Sequence, residues 1–181
     1  PVSVPLIVAD ASSSSSVDAL VQRAQVILTT VGPYQLYGAD VVRACAQAGT
    51  DYVDLCGEPA WMHDMITAHG EAAKASGARI VFSCGFDSIP FDLGVFFLQQ
   101  AAQEKIGGVV SRIKGRVRSM QGTFSGGTLA SFKATMAAAA KNPEMIDVLM
   151  NPFALTEGFT GPEQPSGFAP IYEEDLGSWS A

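Results

Sequence analysis

The stretch VILTTVGPY, residues 26–34, decides the fold. It is a nearly continuous run of aliphatic and β-branched residues that Gly32 and Pro33 stop abruptly. Such a run is typical of a parallel strand that is buried on both faces of a sheet. A helical pattern at residues 17–24 precedes it and another at residues 39–48 follows it, so the strand belongs to an alternation of strands and helices.

The alternation continues on both sides of this stretch. We predict further strands at residues 6–9, 51–56 and 78–84, and further helices at residues 60–76 and 92–100. Each crossover between parallel strands needs a dozen or more residues, and these helices supply that length. The pattern therefore predicts an α/β fold with a doubly wound parallel sheet.

The pattern changes in the second part of the chain. Residues 109–123 alternate between apolar and basic or polar side chains, which predicts a strand with one wet face in an antiparallel or mixed sheet. Ser125 then opens a helix that stops before Asn142. We divide the chain into a first domain, residues 1–104, and part of a second, residues 105–181.

Composition excludes several classes of protein. The chain has 181 residues, 48% of them hydrophobic and 16% charged, which excludes intrinsic disorder. Its formal net charge is −7, whereas proteins that bind the phosphate backbone of nucleic acids are usually positively charged, so we expect no nucleic-acid partner. The odd number of cysteines, three, without a C-x-x-C motif, indicates a reducing compartment, and we expect a cytoplasmic location.

Ligands of open α/β sheets collect outside the carboxyl ends of the strands. Tyr34, Asp54 and Glu58 lie at predicted strand exits and are the catalytic candidates on that ground. Asp54 and Glu58 end one strand together, which suits an acid/base pair, although Glu58 equally suits a role in satisfying turn amides. Cys56 and Cys84 end neighbouring strands, where a thiolate role competes with plain packing.

Familiar catalytic and nucleotide motifs are missing from the chain. It contains no G-x-G-x-x-G and no G-x-x-x-x-G-K-[ST]. Ser125 stands one position late for a nucleophile elbow. His63 and His69 are six residues apart without an H-E-x-x-H pattern, so we predict no metal site.

Several ordered blocks nevertheless resemble a known family. Residues 30–34, 49–58, 85–94 and 125–128 are similar to the saccharopine dehydrogenase-like oxidoreductases, and most of all to the branch with the trans-acting enoyl reductases of polyketide-lipid synthesis. The resemblance covers roughly residues 5–140.

This resemblance implies a partial Rossmann-like domain followed by part of an α+β substrate and dimerisation domain. It places the glycine fingerprint upstream of Pro1, so we expect the chain to be a fragment that binds cofactor weakly or not at all. The implied cofactor is NAD(P), with NADP preferred. Asp10 would lie on the adenine side, and two loops would pass the ribose and the nicotinamide. The loop residues so implied are Thr30, Val31, Gly32, Pro33, Gly85, Phe86, Asp87 and Ser88.

The implied activity is hydride transfer between nicotinamide and an acyl or amino-acid-type substrate in an NAD(P)-dependent oxidoreductase. A non-catalytic scaffold or lipid-associated protein that retains the fold is the alternative, and a self-contained small α/β binding domain is a third interpretation. Asp87 and Ser88 also suit a helix N-cap. The resemblance further implies a homodimer and allows peripheral association with a membrane or lipid.

Overall fold

The fold is taken from a computed structural model that describes residues 3–123, 125–163 and 169–180. Three parallel strands form its main sheet: β1 (Val26–Thr29), β2 (Asp51–Asp54) and β3 (Ile80–Val81), in the spatial order β1-β2-β3. Each lies inside a predicted strand and is shorter than the prediction. The parallel α/β architecture predicted from the sequence is confirmed.

Three helices cover one face of this sheet. They are α1 (Ser14–Val21), α3 (Ala39–Ala48) and α4 (Pro59–Ser76), and a single turn, α2 (Tyr34–Tyr37), precedes α3. Helix α3 lies between α1 and α4 and packs against both. Because helices and sheet share one apolar layer, these elements form a single core.

The register of the strands selects which side chains enter that core. Ile27, Tyr52 and Ile80 lie opposite one another on adjacent strands and all face the helices. Tyr52 is fully buried, and its ring packs edge-on against Phe82, which in turn packs edge-on against Trp61. Such aromatic pairs stabilise a core beyond the area that they bury.

The opposite face of the sheet is open. Leu28 is 72% exposed there, and Val53 and Val81 lie beside it on the neighbouring strands. Helix α5 (Ile89–Ile106) is apolar on most sides but buries none of its residues. Parallel sheets are normally covered on both faces. The described residues therefore form part of a doubly wound sheet: three adjacent strands with helices packed on one face only.

The second part of the chain is mostly helical. Helices α6 (Gly126–Lys141) and α7 (Glu144–Met150) pack against each other, and α7 also packs on α4. Two short strands, β4 (Ile171–Glu173) and β5 (Ser178–Ser180), form an antiparallel hairpin. The hydroxyl of Ser125 accepts a hydrogen bond from the amide of Thr128 at 3.1 Å, so the predicted start of this helix is confirmed.

Two predicted strands are wrong. Residues 6–9 form no strand within the described residues, and Leu6 and Val8 are 95% and 99% exposed. Residues 109–123 form no strand either. Alternating apolar and polar side chains suit a strand, but the pattern does not reveal whether a neighbouring strand is present. Without one, the backbone groups of these residues have no strand to pair with.

Side chains fix the second of these segments instead. The amide group of Gln99 on α5 exchanges two hydrogen bonds with the backbone of Val110, at 2.8 and 2.9 Å. Farther along, Lys114 and Arg116 form ion pairs with the buried carboxylate of Glu173 on β4. Two of the basic residues of this segment therefore contact an acidic residue 57 to 59 positions later in the chain.

No helix in the described part of the chain is both long enough and apolar enough to cross a membrane.

Candidate functional site

The candidate site lies at the carboxyl ends of the three parallel strands. Residues 30–35 follow β1, residues 55–58 follow β2 and residues 82–88 follow β3. Because the strands are parallel and adjacent, these three loops meet at one edge of the sheet, which we call the exit edge. All three predicted catalytic candidates lie at or directly before these loops.

Glu58 connects two of these loops through its buried carboxylate. It is only 3% exposed. Its Oε1 accepts hydrogen bonds from the amide of Tyr34 and the hydroxyl of Ser131, at 2.9 and 2.8 Å. Its Oε2 accepts from the amide and from the side-chain Nε2 of Gln35, both at 2.9 Å. Four donors occupy the two oxygens, so the carboxylate holds the start of α2 in place.

Asp54 has the same role for the loop after β3. Its buried Oδ1 accepts from the amides of Cys56 and Ser83, at 3.0 and 2.9 Å, and its Oδ2 accepts from the hydroxyl of Tyr52 at 2.8 Å. Ser83 has a left-handed backbone with φ of 59°, a conformation that costs a non-glycine residue free energy and persists where neighbours enforce it. Asp54 supplies part of that enforcement.

Tyr34 ties the end of β1 to the exit of β2. Its hydroxyl donates to the carbonyl of Thr29 at 3.2 Å and accepts from the amide of Leu55 at 3.4 Å. Burial raises the pKa of this hydroxyl above its ordinary value. Asp54 and Glu58 do not bond to each other, and all three candidates hold the loops of the exit edge with their polar atoms. The geometry therefore favours a positioning role for them.

The two loops implied by the resemblance present backbone donors. Thr30, Val31, Phe86 and Asp87 are exposed, whereas Gly32, Gly85 and Ser88 are partly buried and Pro33 is buried. Within the described residues, the amides of Gly32, Phe86 and Asp87 have no hydrogen-bond partner. Unpaired amides at the end of a parallel sheet suit the oxygens of a nucleotide cofactor. Ser88 is the N-cap residue of α5, without a side-chain capping bond.

Asp10 lies shortly before α1 and forms its hydrogen bonds with nearby serines. Its Oδ1 accepts from the amide and the hydroxyl of Ser12, at 2.9 and 2.7 Å, and these bonds lower the pKa of its carboxyl group. Its own amide donates to the hydroxyl of Ser16 at 2.9 Å. The carboxylate is exposed and closes a local turn, so it keeps acceptor capacity for a ligand.

Of the two cysteines at the exit edge, Cys56 is a packing residue and Cys84 is partly buried. Cys56 is buried, and this burial raises the pKa of its thiol to about 12. The Sγ of Cys84 faces the carbonyls of Val81 and Phe82, at 3.6 and 3.7 Å. A protonated, buried thiol is a poor nucleophile. Among the described residues no group of His, Cys, Asp and Glu is arranged to hold a metal ion.

A cavity of about 390 Å³ adjoins the exit edge on the side of α6 and α7. Gln35, Glu58 and Thr135 contribute to one part of its wall, and His63 and Glu144 lie elsewhere on it. No lysine or arginine lines it, so it suits the phosphates of a nucleotide poorly. The unpaired amides of the exit edge are the better match for a cofactor.

Sequence comparisons identify the family of the chain. A profile of the saccharopine dehydrogenase NADP binding domain matches residues 2–81. A Mycobacterium tuberculosis (strain H37Rv) protein provisionally named a trans-acting enoyl reductase is 47% identical over 152 residues, which cover 84% of this chain and 36% of that protein. The chain belongs to the saccharopine dehydrogenase-like family. The predicted family is therefore confirmed, and the NADP-binding profile agrees with the predicted NAD(P) cofactor and its NADP preference.

Other members of the family give the same result. The trans-acting enoyl reductases of Mycobacterium ulcerans (strain Agy99) and Mycobacterium leprae (strain TN) are 45% and 44% identical over 153 residues, covering 84% of this chain and 37% of each relative. The chain thus spans a little over a third of the length of these curated relatives. No solved structure matches it significantly.

Reasoning from the sequence missed three residues of this saccharopine dehydrogenase-like site. Gln35, Ser131 and Thr135 complete the hydrogen-bond network around Glu58. The two α6 residues lie outside the segment that the NADP-binding profile matches. Their signal in the sequence is faint: two hydroxyl residues four positions apart in a helix that is otherwise rich in alanine.

Proposed function

We propose that the whole protein is an NADP-dependent oxidoreductase of the enoyl reductase type. In this proposal hydride passes from the nicotinamide to the carbon–carbon double bond of an acyl substrate. Membership of the family and the names of the mycobacterial relatives support this assignment over an amino-acid substrate. The predicted homodimer, lipid association and cytoplasmic location stay predictions.

The observation that carries the proposal is the fixed geometry of the exit edge. Two loops with unpaired amides, at Gly32 and at Phe86 and Asp87, are held by buried carboxylates behind them. Bound NADPH would supply the hydride, and these loops would hold its ribose and nicotinamide end. Preorganised donors of this kind orient a cofactor without reorganisation at the moment of reaction.

The phosphate-binding part of the cofactor site would lie elsewhere in the polypeptide. The chain has no G-x-G-x-x-G turn, and the outer edge of β1 has no partner strand among the described residues. In a doubly wound sheet the glycine-rich turn follows a central strand. We therefore propose that a further strand pairs with β1 in the whole protein and brings that turn beside residues 30–33.

Cofactor binding by the full-length protein tests this function. We expect calorimetric titration to show tighter binding of NADPH than of NADH, and NADPH oxidation to require an enoyl thioester. Phe86→Ala is expected to weaken NADPH binding about tenfold, because the ring is 64% exposed beside the unpaired amides and little of the fold depends on it.

A second phenylalanine provides the matched control. Phe96 on α5 is 60% exposed in this chain, and Phe96→Ala is expected to leave the NADPH affinity of the folded protein unchanged, whatever it costs in stability where that face becomes covered. A folded full-length protein that binds neither nicotinamide cofactor would contradict the proposal and favour the non-catalytic scaffold. Equal loss of affinity in both variants would contradict the placement of the cofactor at the exit edge.

A further inference from the structure

Helix α6 bonds to the exit edge through two hydroxyl residues, one reaching the loop after β1 and the other the loop after β2. Ser131 and Thr135 are four positions apart and therefore lie on the same face of the helix. The hydroxyl of Ser131 donates to Oε1 of Glu58 at 2.8 Å, and the oxygen of Thr135 accepts from Nε2 of Gln35 at 3.2 Å. These bonds join residues that are 73 and 100 positions apart in the chain.

The same helix face lies beside Gly32 in the loop after β1. A Cβ atom built on Gly32 would lie 3.8 Å from the hydroxyl oxygen of Ser131, so only a side chain added there would reach van der Waals contact with the helix. Helix α6 also lies close to α2, which contains Tyr34 and Gln35. It therefore neighbours the segment from Gly32 to Gln35 in addition to bonding to Glu58.

Glu58 makes this contact sensitive to changes in α6. Three of its four donors come from Tyr34 and Gln35, and the fourth is Ser131. A buried carboxylate that loses a donor keeps its desolvation penalty, so the remaining donors must rearrange around it. The donors that remain to rearrange are the backbone amides of Tyr34 and Gln35 and the side chain of Gln35, all of them in the loop itself.

We propose that Ser131 and Thr135 are positioning residues of the cofactor site. By docking on Glu58 and Gln35, they set the conformation of residues 32–35, the loop that would pass the cofactor. This inference rests on the proposed function for the identity of the ligand. It extends the site beyond residues 2–81, the segment matched by the NADP-binding profile, into a helix for which no role in cofactor binding has been assigned.

Amide hydrogen exchange in the full-length protein without cofactor tests the docking itself. We expect Ser131→Ala to speed exchange at the amides of Tyr34 and Gln35 by about tenfold, the effect of losing one charge-assisted hydrogen bond. Ser131→Thr keeps the hydroxyl and is expected to restore slow exchange. Thr135→Val removes the hydrogen bond to Nε2 of Gln35 while keeping the shape of the side chain. We expect it to accelerate exchange at these two amides less than Ser131→Ala does.

Ser125→Ala is the matched control because it weakens α6 without touching Glu58. The Ser125 hydroxyl caps the helix through Thr128, so its loss destabilises α6 at its start. Exchange at Tyr34 and Gln35 is expected to stay slow in this variant. Unchanged exchange at these amides in Ser131→Ala, or equal acceleration in Ser125→Ala, would overturn the docking.

NADPH affinity then separates positioning from mere stability. We expect Ser131→Ala to raise the dissociation constant of NADPH several-fold, with a melting temperature no lower than that of Ser125→Ala and with recovery in Ser131→Thr. If the Ser131→Ala variant binds NADPH as tightly as the wild-type protein, the positioning role is overturned while the docking stands. Absence of NADPH binding by the folded wild-type protein would instead contradict the proposed function.

Discussion

At the scale of single residues, the exit of β2 shows how buried polar groups fix loops. Asp54, Cys56 and Glu58 alternate along the chain, and all three are buried. The amide of Cys56 donates to Asp54, and the amide of Glu58 donates to the sulfur of Cys56 at 3.3 Å. Burying two carboxylates is unfavourable unless donors surround them, and here the donors are backbone amides of the neighbouring loops together with the side chains of Tyr52, Gln35 and Ser131.

The sequence placed these residues correctly but left their roles open. A carboxylate at the end of a strand suits acid/base chemistry and turn stabilisation equally well from its position alone. The difference lies in which donors reach it. For Glu58 one of those donors is Ser131, and no local pattern in the sequence records that contact.

The buried thiols make stability depend on alkaline pH. Burial raises the pKa of Cys45 to about 11 and that of Cys56 to about 12, above the ordinary value of 9.0. The unfolded chain therefore loses these protons at a lower pH than the folded one. Stability is fully present below the unfolded pKa and falls as pH rises toward the folded pKa, by up to about 1.4 kcal/mol per pH unit for each thiol.

Urea unfolding at a series of pH values between about 8 and 10.5 measures this effect. Cys45→Ala is the control because it removes one of the two thiols. The substitution has its own cost in packing at every pH, but the free energy of unfolding of the variant is expected to fall less steeply as the pH rises. A free energy of unfolding that rises over this interval would show that the thiols are not protected in the folded protein.

At the scale of elements, two glycines end two helices in the same way. Gly49 follows α3 with φ of 76°, and Gly77 follows α4 with φ of 82°. Each stands directly after a predicted helix, at residues 39–48 and 60–76, where glycine is favoured because it adopts this conformation without cost. Their surroundings differ: a Cβ on Gly49 would lie 3.1 Å from the carbonyl oxygen of Ser76, whereas one on Gly77 would meet nothing within 4 Å.

Alanine substitutions at these two caps are expected to differ in cost. Gly77→Ala adds only the left-handed strain, about 1 kcal/mol. Gly49→Ala adds the same strain and a close contact with the backbone of the neighbouring helix, for a total of about 2–3 kcal/mol. Chemical denaturation of both variants measures the difference. Equal losses would mean that α3 and α4 separate easily at this end.

The strands show where sequence patterns lose their power. The strand within residues 26–34 was predicted because its apolar run ends at a clear stop, and the strand at residues 51–56 because it continues the alternation of strands and helices; both contain a strand in the structure. Residues 6–9 and 109–123 have strand-like patterns but no partner among the described residues. A helix satisfies its own backbone, whereas a strand depends on a neighbour that its local sequence does not name.

At the scale of the whole molecule, the covered and open faces of the sheet differ in character. Ile27 and Tyr52 lie in the core, whereas Leu28 and Val81 face solvent on the other side. Helix α5 adds further exposed apolar side chains, including Phe96 and Phe97. Patches of this kind mark surfaces that become covered by another part of a protein or by a partner.

Leu28→Lys is therefore expected to have opposite effects in two contexts. In the chain of 181 residues it should reduce self-association and leave stability within about 0.5 kcal/mol, since the side chain is already exposed. In the full-length protein it should destabilise by about 3 kcal/mol or more, because a lysine would be buried where the sheet is covered.

Light scattering and chemical unfolding measure the two effects. Ala75→Lys, at an exposed position of α4, is the control and should change neither form. A Leu28→Lys variant that is equally stable in the full-length protein would show that this face stays open to solvent.

The strand order has a consequence for how the family can diversify. From β1 to β3 the sheet advances in one direction, so it contains no reversal of strand order, the point at which doubly wound sheets seat their ligands. The strand that we propose beside β1 would create that reversal next to β1, and the exit of β3 would then lie two strand spacings, about 10 Å, farther from it than the exit of β1. Under the proposed function, recombination that exchanges this segment between relatives would carry the nicotinamide end of the site as a unit. The glycine-rich turn that holds the cofactor phosphates would remain with the recipient.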